Sequence, residues 1–439
     1  MALADQGMKV GLRALNRVAT SDLLDRIGAR RQAEWLLHRA ARDGTRTAAS
    51  AGRAFAAASR RGSPTRLSAA PKTGLFDLTP TDEEQMLQES FRAFAAEKLR
   101  PAALEADAES KPPEELMSQS AELGITMLGV PEELGGVFAE RSSVSAVLVA
   151  ETLAYGDMGL AVAALAPAAV STAISLWGDA DQQAKYLPPF VGDDVPAAAL
   201  ALLEPRPVFD PMRLETTARR ADGGGFVLTG AKALVPRASE AELFVVAAQL
   251  DDDGPALFIV EPGAEGIFIE PDPGMGLRAA ATARVTFEDV ELPAEALLGG
   301  GHAGVYSECV QRGRLAWAAL GLGTAQAVLD YVVPYVNERV AFGEPIANRQ
   351  AVAFNVADIG IDVESMRLTT YRAASRADQE LDFAHEVAIA RQLCSEKGMD
   401  IGSDGVQLLG GHGYVKEHPV ERWFRDLRAA GLMEGALLV

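Results

Sequence analysis

The last third of the sequence holds three stretches whose residue types suit chemistry, and the first spans residues 338–346. It reads Glu-Arg-Val-Ala-Phe-Gly-Glu-Pro-Ile, and Gln350 follows shortly after. A helix that ends at this glycine and proline would leave an arginine, an aromatic ring and an amide close together. The guanidinium of Arg339 suits a diphosphate because it donates two parallel charge-assisted hydrogen bonds. Taken alone, the stretch is explained more simply by an arginine that favours the helix dipole and a phenylalanine packed in the core.

The second stretch spans residues 407–414 and reads Gln-Leu-Leu-Gly-Gly-His-Gly-Tyr. Three glycines in four positions let the backbone approach a ligand closely, and bare N–H groups can bind a phosphate. The alternative is a helix that ends in a glycine cap and continues as a loop. Both interpretations remain open for this stretch alone.

The third stretch ends in Glu434, which stands among Leu432, Met433, Leu437 and Leu438 with a glycine beside it. A carboxylate in apolar surroundings has a raised pKa and can act as a general base near neutral pH. A tail glutamate in solvent is the alternative that the local sequence leaves open.

The elements that must position these stretches fall into three blocks. Helical runs extend to about residue 192, and short apolar runs separated by Gly, Asp or Pro fill residues 196–298, which is typical of an antiparallel β-domain. Helical patterns return after residue 301, and this segregation favours an α+β architecture over a doubly wound sheet. We predict a basic helical arm and linker over 1–75, a helical N-terminal domain over 76–195, a β-domain over 196–300 and a C-terminal helical bundle over 301–439.

The net charge of −20 is unevenly distributed along the 439 residues. Residues 1–75 hold 14 basic and 5 acidic side chains, a net charge of +9, so the remainder carries −29. An acidic body argues against nucleic acid as a partner. The basic arm could contact an anionic membrane through residues 1–70, an acidic partner or the acidic body itself. Because its composition also resembles a transit peptide, we predict a cytoplasmic protein with peripheral membrane contact and the mitochondrial matrix as open alternatives.

Several other classes of protein lack support in the sequence. Cys309 and Cys394 lie far apart without metal-type spacing, so we predict no metal site. A nicotinamide-binding loop has one candidate, residues 321–326, but its third glycine position holds a glutamine and no strand precedes it. The Gly-x-Ser-x-Gly turn of serine hydrolases is absent.

In their order and spacing, the three stretches resemble the acyl-CoA dehydrogenase family over residues 76–436. Residues 339–343 resemble the family's Arg-x-x-Phe-Gly, and residues 407–411 resemble its Gln-x-x-Gly-Gly. The pair Arg425-Asp426 followed by Glu434-Gly435 resembles its Arg-Asp…Glu-Gly ending. Residues 274–278 and 285–290 are similar to the late β-domain of the family.

The resemblance implies a helical N-terminal domain, a small antiparallel β-domain and a C-terminal four-helix bundle that together bind FAD. The implied reaction is the α,β-desaturation of an acyl-CoA in fatty acid β-oxidation. Glu434 would remove the α-proton, and the β-hydride would pass to flavin N5. Some members carry the base just before the substrate-side arginine, but Gly313 stands there and cannot accept a proton. An electron-transferring flavoprotein as acceptor and a homodimer or homotetramer are implied as well.

The resemblance also assigns roles to individual residues. On the substrate side these are Arg314 and Gly435. For FAD of the neighbouring subunit they are Arg339, Phe342 and Gln350, and for its adenosine diphosphate part Gln407, Gly410 and Gly411.

The sequence departs from the family where the flavin ring is expected. Residues 203–210 read Leu-Glu-Pro-Arg-Pro-Val-Phe-Asp, with Phe209 in place of a serine, where the family has Thr-Glu-Pro-x-Ala-Gly-Ser-Asp. Leu234 and Pro236 stand where a tryptophan and a threonine adjoin the isoalloxazine, and Ala436 replaces a threonine. These losses leave two alternatives open: a catalytically weak or silent subunit of a mixed oligomer, and a docking protein that uses the basic arm.

Overall fold

The computed structural model describes residues 82–136, 141–192 and 194–434. The chain divides into two units, residues 1–75 and 76–439. The predicted basic arm therefore lies outside the described residues, and so do Gly435 and Ala436.

Six helices form the N-terminal part of the described chain. Helix α5 (Met158–Trp177) is apolar all round, which lets it pack with nearly every side buried, and Asp157 caps it by accepting a hydrogen bond from the N–H of Leu160. By length and composition, α5 and residues Gly304–Glu338 are each apolar enough to cross a membrane, but both are packed mostly inside the protein. The helices are α1 (Asp82–Phe94), α2 (Arg100–Glu109), α3 (Glu114–Glu122), α4 (Ser143–Gly156), α5 (Met158–Trp177) and α6 (Ala180–Tyr186).

Eight strands form one sheet in the order β6-β7-β3-β2-β4-β5-β8, with β1 added beside β4. Side chains of β4 alternate between two apolar cores, one on each face of the sheet. The strands are β1 (Ala198–Ala201), β2 (Thr217–Arg220), β3 (Phe226–Val235), β4 (Leu243–Leu250), β5 (Gly254–Val260), β6 (Ile267–Pro271), β7 (Ala283–Leu292) and β8 (Leu297–Leu298).

The sheet is mostly antiparallel, as the hairpin-like spacing predicts. Two short strands differ, because β1 and β2 both run parallel to β4. β1 is buried on both faces and reads as a continuous apolar run in either orientation, whereas β2 is mostly exposed and polar, so neither sequence carries a signal for this difference.

Helices return after the sheet, which confirms the α+β architecture. Three long helices, α7 (Ala303–Glu338), α8 (Gln350–Asp378) and α9 (Ala384–Leu409), precede the short α10 (Val420–Leu427). A two-stranded hairpin, β9 (Val340–Ala341) and β10 (Glu344–Pro345), joins α7 to α8, and a 3₁₀ turn over Gly410–Tyr414 follows α9.

The glycine-rich residues 321–326 lie inside α7 and serve helix packing. A Cβ on Gly323 would lie 2.0 Å from the backbone oxygen of Glu151 on α4. The two helices therefore approach each other more closely than any larger residue allows.

Gly323→Ala should lower the free energy of unfolding by about 1–3 kcal/mol, because the added methyl group forces the two helices apart. Gly360→Ala is the matched control, since Gly360 also lies in a helix but has open space around it. That substitution should stabilise the protein by about 0.5–1 kcal/mol through helix propensity. Thermal unfolding of both variants checks the pair, and equal effects would contradict the packing argument.

Candidate active site

A cavity of about 680 Å³ opens where the sheet meets the C-terminal helices. Its walls come from the loop after β1, from β3 and β7, from α7 and α9, and from the segment after α10. The lining residues that matter below are Phe209, Leu234, Arg284, Arg314, Arg391 and Glu434.

The tail of the described chain brings Glu434 into this cavity. After α10 a 3₁₀ turn over Arg428–Gly431 redirects the chain along α9. A Cβ on Gly431 would lie 1.9 Å from the hydroxyl oxygen of Ser395 and 2.9 Å from its Cβ, so the glycine permits this close approach. The Glu434 side chain ends 2% exposed. The predicted solvent-exposed alternative is therefore wrong.

The two oxygens of the Glu434 carboxylate differ in their surroundings. The Arg314 Nε donates to Oε1 at 3.2 Å, and a terminal nitrogen of Arg391 lies 3.2 Å from the same oxygen. Oε2 is buried and has no hydrogen-bond partner among the described residues. One oxygen is therefore held by two arginines, while the other has its hydrogen-bonding capacity unused among the described residues.

Burial raises the pKa of Glu434, while the charges of Arg391 and then Arg314 act in the opposite direction. The net direction is upward. A carboxylate with a raised pKa and one unpaired oxygen in a cavity suits general base catalysis.

A buried ion pair holds the cavity wall in place. Lys232 on β3 is fully buried and donates to Glu204 Oε1 at 2.9 Å and to the Leu202 carbonyl at 3.2 Å. Glu204 also accepts the N–H groups of Glu215 and Thr216 at 2.8 and 2.9 Å. The loop that begins at Glu204 is thereby fixed to β3.

The residues that depart from the family pattern lie on or near this wall. Phe209 and Leu234 line the cavity, and the N–H of Leu234 donates to Asp272 at 3.2 Å. Val208 lies at the rim, 98% exposed with φ of 50°, a strained backbone conformation for a β-branched residue. Pro236 is buried in the turn after β3 and is not among the described lining residues.

The six residues predicted to contact FAD lie away from this cavity, at one end of the C-terminal helices. The Tyr335 hydroxyl donates to the Leu409 carbonyl, and this contact joins the end of α7 to the end of α9. Phe342 is 94% exposed with φ of 58°, and the Arg349 guanidinium lies 4.9 Å from its ring. All six are exposed and outside the described cavity lining: Arg339, Phe342, Gln350, Gln407, Gly410 and Gly411.

Arg425 and Asp426 of the final motif join the sheet to the helices. Arg425 forms two hydrogen bonds of 2.9 Å with Asp107 on α2, and Asp426 accepts the N–H of Leu277 at 2.6 Å. A Cβ on Gly276 would lie 2.5 Å from the Arg425 carbonyl oxygen. The glycine-rich residues 274–278 therefore dock directly onto α10.

Sequence reasoning did not identify Arg391. It lies on α9, far from any of the three stretches, and its neighbours on the helix are ordinary core residues such as Ala390 and Cys394. A single arginine on such a helix carries no spacing signal that would have pointed to the cavity.

Comparisons with known proteins agree with this fold. The acyl-CoA dehydrogenase N-terminal, middle and C-terminal domains match residues 81–194, 199–290 and 302–437. The short-chain specific acyl-CoA dehydrogenase of Bos taurus mitochondria is 35% identical over 361 residues, which cover 81% of this chain and 87% of that protein. The solved structure of butyryl-CoA dehydrogenase from Megasphaera elsdenii matches with a TM-score of 0.76 at 30% identity, over 82% of this chain and 96% of that chain.

The fold, the cavity and these matches together define a flavin-dependent oxidoreductase. The chain belongs to the acyl-CoA dehydrogenase family. The predicted family, the predicted fold and FAD as the cofactor are confirmed.

The lining and volume of the cavity suit a flavin ring. Ligand cavities measure about 300–1,000 Å³, and a volume of about 680 Å³ lies within that range. Phe209 and Leu234 give one wall an apolar surface on which a flat ring can pack. The unpaired Oε2 of Glu434 supplies the polar group that the chemistry requires.

Proposed function

We propose that this protein catalyses the FAD-dependent α,β-desaturation of an acyl-CoA thioester, with Glu434 as the base that takes the α-proton. The observation that carries the proposal is the buried Oε2 of Glu434: it has no hydrogen-bond partner among the described residues, and Glu434 is one of the residues that line the cavity. FAD, when bound, supplies the acceptor for the hydride that leaves the β-carbon.

The chain's own residues account for the proton transfer. Burial keeps the Glu434 carboxylate basic, while the two arginines at Oε1 keep it ionised enough to act. The proton moves to Oε2, because Oε1 already accepts from the Arg314 Nε. Water would compete for the same oxygen, and the 2% exposure of the side chain limits that competition.

Arg314 is proposed to act on the substrate side, since it lines the cavity and touches the base. Gly435, the second proposed substrate residue, lies outside the described residues. For FAD we propose contacts from Arg339, Phe342 and Gln350 and, at the adenosine diphosphate part, from Gln407, Gly410 and Gly411. Because these six lie exposed and outside the described cavity lining, we propose that they serve the cofactor of a second copy in a homodimer or homotetramer.

A short acyl chain is the proposed substrate class. It is supported by relatives named short-chain specific, including one from Megasphaera elsdenii that is 31% identical over 82% of this chain and 96% of that protein. For the electron acceptor we propose an electron-transferring flavoprotein. In its support, a solved structure described under the name of such a flavoprotein, that of Acidaminococcus fermentans, holds a chain that matches this one at 31% identity with a TM-score of 0.76, over 82% of this chain and 96% of that chain. Relatives named mitochondrial support the matrix as one location to test.

The purified protein should be yellow, with the visible absorption of oxidised flavin, and butyryl-CoA should bleach it under anaerobic conditions. A series of acyl-CoAs of increasing length then ranks the substrates by the rate of bleaching. A yellow protein that no acyl-CoA bleaches would support the catalytically silent subunit instead. A colourless protein that gains no flavin on incubation with FAD would support the docking protein.

A further inference from the structure

Arg391 makes an unusual set of contacts with the segment that carries Glu434. Its guanidinium donates to the Met433 carbonyl at 3.1 Å and to the Gly431 carbonyl at 3.2 Å. A third contact of 3.2 Å reaches Oε1 of Glu434. Its side chain is 14% exposed and that of Glu434 2%, so the contact between them is largely shielded from water, whereas the contact with Gly431 lies nearer the surface.

We propose that Arg391 is a positioning residue for the catalytic base: it ties the segment 431–434 to α9 and, with Arg314, holds Oε1 so that Oε2 faces the substrate. The inference rests on the proposed role of Glu434. Arg391 lines the same cavity, and the role inferred for it is exerted through the base, because its contacts at that end of the cavity are with Gly431, Met433 and Glu434.

The planar fork of the guanidinium explains why one residue can both bind the backbone of residues 431–434 and hold Oε1 of Glu434. One terminal nitrogen donates to Met433, and the other reaches both Gly431 and Glu434. The close approach of Gly431 to Ser395, one turn beyond Arg391 on α9, brings the segment within reach. The segment follows the last described helix and adds no helix or strand of its own, so these bonds replace the support that such an element would give.

The charge of Arg391 also affects when the base is ionised. Arg391 opposes the effect of burial on Glu434, so loss of its charge leaves the carboxyl protonated to a higher pH. The other charged or titratable groups near the carboxyl are Arg314 on α7, Glu204 and Arg206 on the loop after β1, Asp272 after β6, Arg284 on β7, and the buried Tyr306 and Cys309 on α7. Arg391→Met changes none of these.

The test compares Arg391→Met and Arg391→Lys in the full-length protein loaded with FAD. For Arg391→Met we expect kcat to fall about tenfold or more at little change in KM, and the acid limb of the kcat/KM profile to move up by about one pH unit. Arg391→Lys keeps the charge, so its acid limb should stay near that of the wild type. Its kcat should still fall, because one ammonium cannot replace the fork.

Arg376→Met is the matched control. Arg376 likewise ties a backbone carbonyl, that of Asp382, and a carboxylate, that of Glu386, at distances of 2.6–3.2 Å, but it lies outside the described cavity lining. The Arg376→Met variant should have a lower melting temperature, because these contacts are lost, but the same pH profile of kcat/KM as the wild type.

Wild-type kcat and an unmoved acid limb in Arg391→Met would overturn the inference. If Arg391→Met does not fold, Arg391→Lys decides: full FAD content with reduced kcat supports positioning, and wild-type kcat overturns it. Glu434→Gln separates the two ideas. An active Glu434→Gln would refute the proposed base itself, whereas an inactive Glu434→Gln beside a normal Arg391→Met would refute only the role of Arg391.

Discussion

Glu434→Gln should lower kcat by about 10²–10⁴-fold, because glutamine has the same shape but cannot accept the proton. The bound FAD should remain, since the residues proposed to hold it lie elsewhere in the chain. Anaerobic mixing with butyryl-CoA provides the measurement: the flavin absorption of the variant should persist over a time in which the wild type bleaches completely.

The reason for so large an effect is the geometry of the carboxylate. Among the described residues that line the cavity, Glu434 alone combines near-complete burial with an oxygen that has no partner. Glu204 lines the cavity as well, but both of its oxygens accept backbone N–H groups. Asp272 is partly exposed and accepts the N–H of Leu234.

Glu386→Gln is the control for the loss of a buried charge. Glu386 also lies between two arginines, Arg372 and Arg376, at 3.5 and 3.2 Å, and its side chain is 11% exposed. It lies on α9 and is not among the described residues that line the cavity, so the flavin of the Glu386→Gln variant should bleach at the wild-type rate. Full bleaching by Glu434→Gln would refute the assignment of the base.

The pH profile gives an independent check on the same residue. An ordinary glutamate has a pKa of about 4.3. Burial raises the pKa of Glu434, so activity should be lost on the acid side at a higher pH than that. The base must be ionised to act, and activity therefore falls as the pH drops through that pKa. An acid limb at or below the ordinary range would contradict a buried base.

The sequence predicted the order of helices, strands and helices because each block has its own hydrophobic period. It predicted Glu434 as the candidate base because the motif that the family shares places this glutamate a fixed distance after Arg425-Asp426. It did not predict that β1 and β2 run parallel to β4, because that depends on which segments pair across the sheet. It missed Arg391 for the same reason: the contact with Glu434 joins residues 43 positions apart through tertiary packing alone.

The departures from the family pattern are clarified by what the chain retains there. Around residues 203–210 and 232–237 the chain loses the hydroxyls and the tryptophan but keeps Glu204 and Lys232. The structure shows that these two form the buried pair between the loop and β3. The loop can therefore keep its position while Phe209 and Leu234 change the surface that it presents.

Lys232→Met should lower the free energy of unfolding by about 3 kcal/mol, because the buried Glu204 carboxylate loses its nearer counter-charge and keeps only Arg206, 3.6 Å away. Burial lowers the pKa of Lys232 to about 8, and Glu204 opposes that shift. Burial would raise the pKa of Glu204, but Lys232 and the N–H groups of Glu215 and Thr216 outweigh it and hold that pKa below its usual range. The carboxylate is thus ionised in the wild type at neutral pH.

The loss of stability in Lys232→Met should depend on pH, because the substitution changes the pKa of Glu204. Without Lys232 the folded-state pKa of Glu204 moves upward from its depressed position, so the variant loses stability that the depressed pKa gives the wild type at pH values above the unfolded-state pKa. The difference between variant and wild type should therefore be largest at neutral pH and shrink in acid. Lys185→Met is the control, because Lys185 and Glu261 are both about 60% exposed and such pairs contribute about 0–1 kcal/mol.

Loss of the Lys232 pair should also release the cofactor, because the same contacts hold the loop that carries Phe209. Lys232 bonds Leu202 and Glu204, and the Ala233 N–H donates to the Leu203 carbonyl at 2.8 Å. With the ammonium gone, the loop loses two of these three ties to β3, so Lys232→Met should retain less FAD after gel filtration than the wild type. Adding Glu204→Gln should recover part of the stability by removing the buried charge, though not all of it, since the two backbone N–H groups bond different oxygens of Glu204 and an amide replaces one of these with an NH2 donor. Equal stability and equal FAD content in Lys232→Met and wild type would show that the pair does not hold the cavity wall.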